Sequence, residues 1–377
     1  MIILSEKKPE IKIYANEHSW IEGDAIQQLK KTAEFEGMEK VVGMPDLHPG
    51  KGGPVGAAFL SKNKIYPFLI GTDIGCGMGL YQTTLKAGKA KRDKWAKKLG
   101  CLDDPWDGDV RAFLSDHGVT DSGFDLAHGT IGGGNHFAEL QVIEKIEDKG
   151  TFKQMGLDKA CLMLLVHSGS RGVGQNILRK HIAQYGAAGF YADSADALLY
   201  LRDHNEALKW AFSNRALIAR RFADNLGADI SFVLDACHNS VSPVDMDGAY
   251  YWLHRKGVIP SDKGPVIVPG SRGALSYLLK PAAGKHESLW SIAHGAGRKW
   301  NRNSCKGRLS SRYKAKDFLI TDLGSRVICS DRTLLYEEAP QAYKHIETVI
   351  EDMRREGLVD VIATLKPLIT YKAGETN

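Results

Sequence analysis

Apolar residues follow two kinds of pattern along the chain. Between Ser194 and Leu226 they recur at helical spacing, at Leu201, Leu208, Ala211, Phe212, Ala219, Phe222 and Leu226, and Gly227 follows as a stop. The spacing predicts one long helix. A second set, Ala339, Ala342, Tyr343, Ile346, Val349, Ile350 and Met353, predicts a helix from about Glu337 to Glu356, ended by Gly357. Asp24 to Phe35 reads as a shorter helix. Elsewhere the apolar residues form short unbroken runs of buried-strand length: Ile65 to Ile70, Ala160 to Val166 and Ser231 to Leu234. Pro67 weakens the first, because proline cannot donate to a sheet ladder. Each run opens into a loop rich in glycine and polar ligand-type residues, where sites usually lie. Scattered short strands with a few helices predict an α+β fold. No Pro/Ser-rich linker interrupts the chain, so residues 1–377 are expected to form one domain.

Composition adds one unusual feature. The chain has 40 glycines in 377 residues, above the usual ~7%. They cluster at residues 50–56, 71–79, 129–134, 169–174, 270–273 and 295–297, without a repeat period. Glycine clusters mark loops where backbone approaches another group closely, and their spread points to one site assembled from the whole chain. The six cysteines include no CxxC pair, so a reducing compartment fits and a special cysteine is a ligand or nucleophile. The N-terminus reaches charged residues by Glu6 and has no signal-peptide core. The run Ala160 to Val166 is far below the ~20 residues that cross a bilayer. A cytoplasmic protein without membrane contact is expected. A net charge of +5 permits a phosphate-rich partner without requiring one.

Five loops carry candidate chemistry. In Gly71 to Met78, Asp73 and Cys76 stand three apart and can face one metal ion or two adjacent ones. An Asp-mediated turn over a buried cysteine would look the same. In Gly132 to Glu139, three glycines precede Asn135 and His136, and His136 would share a face with Glu139 if the segment were helical. In Val166 to Gly174, His167 leaves a buried strand for a loop of hydroxyls, backbone N–H groups and Arg171, a combination that binds anions. Cys237, His238 and Asn239 alone are unspecific. Finally, His294 is flanked by residues too small to cover it, with Arg298 and Arg302 following at helical spacing. A nucleophile or general acid beside a phosphate fits that setting. Together Asp73, Cys76, His136, His167 and His238 suffice for a two-metal site. Walker A, dinucleotide-binding and zinc-finger spacings are absent.

The full series of motifs resembles the RtcB family of RNA-splicing ligases. It comprises Met44 to Gly50, Asp73 to Met78, Gly134 to Phe137, His167 to Gly172, His238-Asn239, His254 to Gly257 and His294 to Arg298, in the family's order across about residues 40–372. The resemblance implies a single RtcB-like domain, with central β-sheets flanked by helices and an active site built from glycine-rich loops. It implies a ligase dependent on GTP and two Mn²⁺ ions that joins RNA 2′,3′-cyclic phosphate or 3′-phosphate ends to 5′-hydroxyl ends. In that reading Cys76 bridges the ions, His167 and His238 complete one ligand set, and Asp73 and His136 the other. His294 carries GMP, oriented by Asp46. Asn135, Glu139, Asn239, Ser271, Ser276, Tyr343 and Lys372 hold the nucleotide, with Tyr343 stacked on guanine. Lys256, Arg298 and Arg302 meet RNA phosphates.

The small net charge makes that RNA contact local, with those three cations clustered and about three or four phosphates met. The chain is short for the family, notably around Ala87 to Gly118. Lys299-Trp300-Asn301, Arg272 and Ala274 depart from the usual residues, and the chain runs past Lys372 to Asn377. These departures bear on the RNA surface, and the expected role is repair of broken tRNA or rRNA ends, or tRNA splicing, by a monomer. Whether an activating protein takes part is open. The alternative is a dimetal phosphodiesterase or phosphatase acting on RNA ends, which needs the ligands but not His294, Tyr343 or Lys372. A catalytically silent RNA-binding protein would tolerate loss of ligands, and none is lost.

Overall fold

Two β-sheets carry the architecture of the computed structural model, which describes residues 1–374 apart from Asp121 and Asp247. The run to Asn377 ends outside the described residues. The first sheet has six strands, ordered Ile2–Ser5, Glu10–Ile13, Met38–His48, Val55–Ser61, Ala249–Lys256 and Asn239–Met246. The second has eight strands. Its main path runs Ile230–Cys237, Gly77–Lys86, Cys161–Ser168, Phe137–Ile146, Val359–Ala373, Ser276–Pro281 and Val266–Pro269. Arg326–Cys329 lies parallel to the Val359–Ala373 strand. Helices pack on these sheets to make one compact α+β domain. Among the described residues no helix is long and apolar enough to cross a membrane.

The long helix spans Ala195–Leu226. The Ser194 hydroxyl accepts from the Ala197 N–H, and Gly227 closes the helix at φ 67°, a conformation that suits glycine. Ile218, Ala219, Phe222 and Leu226 pack on Leu162, Leu164 and Val166 of the second sheet. Each such large apolar side chain contributes roughly 1.5–3 kcal/mol on burial. Phe212, expected in the buried stripe, is instead 37% exposed and rests on Phe232, 6.1 Å between ring centres.

Two predicted elements are corrected. The helix expected over Glu337 to Glu356 forms only at Ile346–Arg355; a separate short helix, Arg332–Glu337, ends where it was to begin, and a 3₁₀ turn at Pro340–Ala342 lies between. Pro340 is the cause: it lacks an N–H and its ring obstructs the preceding turn. The run Ile65 to Ile70 yields only the short strand Lys64–Ile65 and then a 3₁₀ turn at Pro67–Leu69, again at a proline. The segment after His136 is a strand, Phe137–Ile146, so His136 and Glu139 share no helical face.

Register in the second sheet places the chemistry. Cys237 pairs with Gly77, Gly77 with Ser168, and His167 with Phe137. The strands alternate in direction, so two starts and two ends meet at one edge. Cys76 and His136 stand just before their strands, and His167 and His238 stand at the ends of theirs. His238 is also the link between sheets, since Ile230–Cys237 belongs to the second and Asn239–Met246 to the first.

Candidate active site

Cys76, His136 and His167 are buried, with their donor atoms all within 4.8 Å of one another. The Cys76 Sγ lies 3.4 Å from His136 Nε2 and 3.2 Å from His167 Nε2. An Asp73 oxygen is 2.8 Å from His136 Nε2. His238 packs edge to face against His167, 5.2 Å between ring centres. The His136 Nδ1 hydrogen-bonds the Ile131 carbonyl at 3.1 Å, which leaves Nε2 free to ligate. Gly169 makes the approach possible, because a Cβ there would come within 2.1 Å of Asp73 Oδ1.

Burial pushes His167 and His238 well below the ordinary imidazole value, and neighbouring histidines add to the shift. Both therefore present neutral rings with lone pairs. Burial would raise the Asp73 carboxyl, but His136 beside it holds it below the usual range. The Cys76 thiol is pushed up by burial and by Asp73. Asp73 Oδ1 and His238 Nδ1 are buried with no hydrogen-bond partner among the described residues. Orphaned polar atoms around a thiol and imidazoles fit a divalent transition-metal centre. The donor set does not by itself choose manganese over zinc.

One residue that organises this centre was not singled out from sequence. Arg215, 1% exposed, donates from Nη1 to the Gly75 carbonyl at 2.7 Å and the Ser168 carbonyl at 2.9 Å. Its Nε and Nη2 grip the Asp235 carboxylate, both at 2.6 Å. Gly75 precedes Cys76, Ser168 follows His167, and Asp235 lies three residues before His238. The guanidinium therefore ties together three segments that carry candidate ligands. Its signal was a charged residue inside an apolar stripe, between Ala211 and Ala219 at steps of four.

His294 faces the centre from the other side, 4.7 Å from His238 between ring centres. Its Nδ1 donates to Asp46 Oδ2 at 2.7 Å, and its backbone N–H donates to the same oxygen at 3.1 Å. Asp46 is fully buried. Lys344 holds the Asp46 turn by donating to the carbonyls of Pro45 at 2.9 Å and Leu47 at 2.7 Å. Gly297, at φ 71°, lies so close that a Cβ would meet the Asp46 carbonyl at 2.2 Å. With Nδ1 protonated by this contact, His294 Nε2 keeps its lone pair.

A cavity of about 260 Å³ opens beside His294. Asn135, Glu139, Ser271, Tyr343 and Lys372 line it, with Arg272, Arg298, Arg302 and Glu338. Glu338 is the acidic hub. Burial would raise its carboxyl, but Lys372, Arg298 and Arg302 pull it down to about 2. The Tyr343 hydroxyl also donates to Glu338; the break at Pro340 lets the chain turn Tyr343 toward this group. Glu139 is pushed up to about 7 by burial, against hydrogen bonds from Thr370 and Gln141. Arg272 is 7% exposed; Nη2 donates to the Leu335 carbonyl at 2.6 Å, while Nε and Nη1 have no partner among the described residues.

Two expected nucleotide residues sit behind the wall. Ser276 accepts from Gln141 at 2.8 Å, and Asn239 donates to the Asp73 carbonyl at 3.0 Å and accepts from the Gly257 N–H at 2.9 Å. The three expected RNA cations do not form one cluster. Lys256 is buried and donates to the carbonyls of Lys51 and Gly53, each at 3.2 Å; burial lowers it to about 8. Arg298 is spent on Trp300, Glu337, Glu338 and Tyr343. Of the three, Arg302 keeps the most exposed side chain, at 42%. Backbone carbonyls and Glu338 hold the other two heads inward.

This layout is that of an enzyme centre, and known proteins identify its class. The profile of the family described as tRNA-splicing ligase RtcB matches residues 28–102 and 120–373, and the chain belongs to that family. It is 50% identical to the RNA-splicing ligase RtcB2 of Escherichia coli, over 95% of this chain and 94% of that one. It is 29% identical to the tRNA-splicing ligase RtcB of Nanoarchaeum equitans, over 89% of this chain and 88% of that one. The RNA-splicing ligase RtcB of Mycobacterium bovis is 30% identical, over 64% of this chain and 63% of its own.

Proposed function

We propose that this RNA ligase uses GTP and two Mn²⁺ ions to join a 3′-phosphate or 2′,3′-cyclic phosphate end to a 5′-hydroxyl end, through a GMP adduct on His294. The supporting observation is the Asp46–His294 contact of 2.7 Å, set between the thiol–imidazole cluster and the cavity. Asp73, Cys76, His136, His167 and His238 would hold the metal. When bound, it supplies positive charge that offsets the triphosphate.

His294 Nε2 donates its lone pair to the GTP α-phosphorus. A P–N bond forms, the bond to the bridging oxygen breaks, and pyrophosphate leaves. Asp46 keeps the proton on Nδ1 and balances the positive ring. An oxygen of the RNA 3′-phosphate then attacks the same phosphorus, the P–N bond breaks, and His294 regains its lone pair. The 5′-hydroxyl finally attacks the activated 3′-phosphate, releasing GMP. A cyclic phosphate is first opened by water to a 3′-phosphate.

The cavity's charge supports a polyanionic ligand. Arg272, Arg298, Arg302 and Lys372 face one ionised carboxylate, Glu338, while Glu139 is half neutral near pH 7. Tyr343 and Phe137 offer flat apolar faces for a base, and Asn135, Glu139, Ser271 and Lys372 offer polar contacts. Asn239 and Ser276 would act from behind, through Asp73 and Gln141. We place the activity in RNA repair or tRNA splicing.

The test is to incubate the protein with GTP, Mn²⁺ and a nicked stem-loop bearing a 3′-phosphate and a 5′-hydroxyl. Joined RNA is expected, dependent on both GTP and Mn²⁺. Removal of the phosphate without joining would favour a phosphatase. Cys76→Ala should lose bound Mn²⁺, measured by metal analysis, whereas His238→Ala should weaken mainly one ion.

A further inference from the structure

Of the three expected RNA cations only Arg302 has an exposed side chain, and it is shared with Glu338 and Asn135, yet an RNA strand carries a charge on every nucleotide. The chain's positive charge is concentrated elsewhere than expected. From Arg298 to Lys316 there are eight Lys and Arg and no Asp or Glu, against a net +5 for all 377 residues. The remaining residues are net negative. This segment leaves the cavity wall at Arg298 and Arg302, forms the helix Arg302–Leu309 and continues to a 3₁₀ turn at Ala315–Phe318.

Its inner side is anchored. Leu309 and Phe318 are buried with Val327, Leu335, Tyr336 and Ala339 in one apolar cluster. Its outer side is charged. Lys306, Arg308, Arg312, Lys314 and Lys316 are all exposed. Lys306 lies one turn beyond Arg302 on the same helix face. The nearby ion pairs stop at Arg298 and Arg302, which both reach Glu338; the five outer cations make no ion pair among the described residues, although Glu22 lies within electrostatic reach of Arg308 and Asp317 accepts from the Lys314 backbone N–H. Arg308 lies over the Trp300 ring, 5.2 Å from its centre. Like charges fixed side by side repel, and nothing in the packing of this segment requires them. A polyanion leading out of the cavity would neutralise them.

We propose that Lys306, Arg308, Arg312, Lys314 and Lys316 form a track for the phosphate backbone of the RNA strand whose end lies in the cavity. The proposal rests on the RNA ligase reading. The track reads charge and spacing, not bases, so it holds RNA of many sequences. It extends the binding surface beyond the local contact that the net charge implied.

The experiment compares wild type with a Lys306→Gln, Arg312→Gln, Lys314→Gln, Lys316→Gln variant, leaving Arg308 on its tryptophan. Binding of a fluorescent single-stranded RNA with a 3′-phosphate is followed by anisotropy across a salt series. Each phosphate contact on a single strand contributes about 0.7 to the slope of log affinity against log salt, so the variant's slope should fall by about 3. GMP labelling of the protein without RNA should match wild type. Unchanged slope and affinity would overturn the proposal, and would be the result if the surface served an acidic protein instead. If the variant also lost labelling, a Lys306→Arg, Arg312→Lys, Lys314→Arg, Lys316→Arg variant decides: a wild-type slope upholds the track, and a reduced slope overturns it. Failure of the wild-type protein itself to join RNA would count against the ligase reading, independently of the variants.

Discussion

The Asp46 carboxylate takes two hydrogen bonds from one residue, the ring and the backbone of His294. Asp46→Asn keeps the shape and removes the charge. In the proposed chemistry that charge balances the ring while phosphorus is bound, so GMP labelling should slow by roughly 10²–10⁴-fold, with metal content unchanged. Labelling at the wild-type rate would remove Asp46 from the mechanism. Glu139 makes a separate prediction about pH. Its folded value of about 7 stands above the ordinary carboxyl value of about 4.5, so between those values the folded state binds more protons than the unfolded one. Stability from this group is therefore present below about 4.5 and is lost as pH rises through 7, by up to about 1.4 kcal/mol per unit. Glu139→Gln should flatten that decline, as read by thermal melting from pH 5 to 7.5. An equally steep decline in the variant would mean that Glu139 is ionised throughout.

Among the elements, the long helix and the strand after Ala160 were legible because their apolar periods are long or unbroken. Pro340 interrupts an otherwise regular apolar face that reads as one helix, and the break turns Tyr343 toward the cavity. The stripe on the long helix also concealed Arg215, whose partners at Gly75, Ser168 and Asp235 come from three distant segments. No local pattern reveals such a tie, since it depends on strand register. Arg215 touches no candidate ligand directly, so any part it plays in the proposed metal site is that of a positioning residue. Losing one partner of a buried ion pair costs roughly 3–5 kcal/mol, so Arg215→Met should melt at lower temperature. Asp235→Asn keeps the hydrogen-bonding shape and should retain more stability. If the tie positions the ligands, Co²⁺ bound to this variant should show altered thiolate-to-metal absorption compared with wild type. An unchanged spectrum would make the tie purely structural.

Across the whole molecule, the candidate residues were legible as motifs, while their convergence was not. Asp46, Cys76, His136, His167, His238 and His294 span nearly 250 positions; pairing of distant strands brings Cys76, His136, His167 and His238 to one edge of the second sheet, and Asp46 and His294 meet them from the other side. The resemblance supplied that assembly in advance; spacing alone favoured a buried turn over a metal site at Asp73 and Cys76. A net charge of +5 averages a basic segment, residues 298–316, against an acidic remainder, so it does not locate the positive charge.

In the proposed reaction GMP passes through His294, and supply of pre-activated RNA isolates that step. His294→Ala should take up no label from α-labelled GTP and should not join a plain 3′-phosphate end. It should still join RNA that already carries a 3′-terminal guanylate, with metal binding retained. Joining of the plain 3′-phosphate end by this variant, or recovery of the GMP on a lysine, would contradict the account.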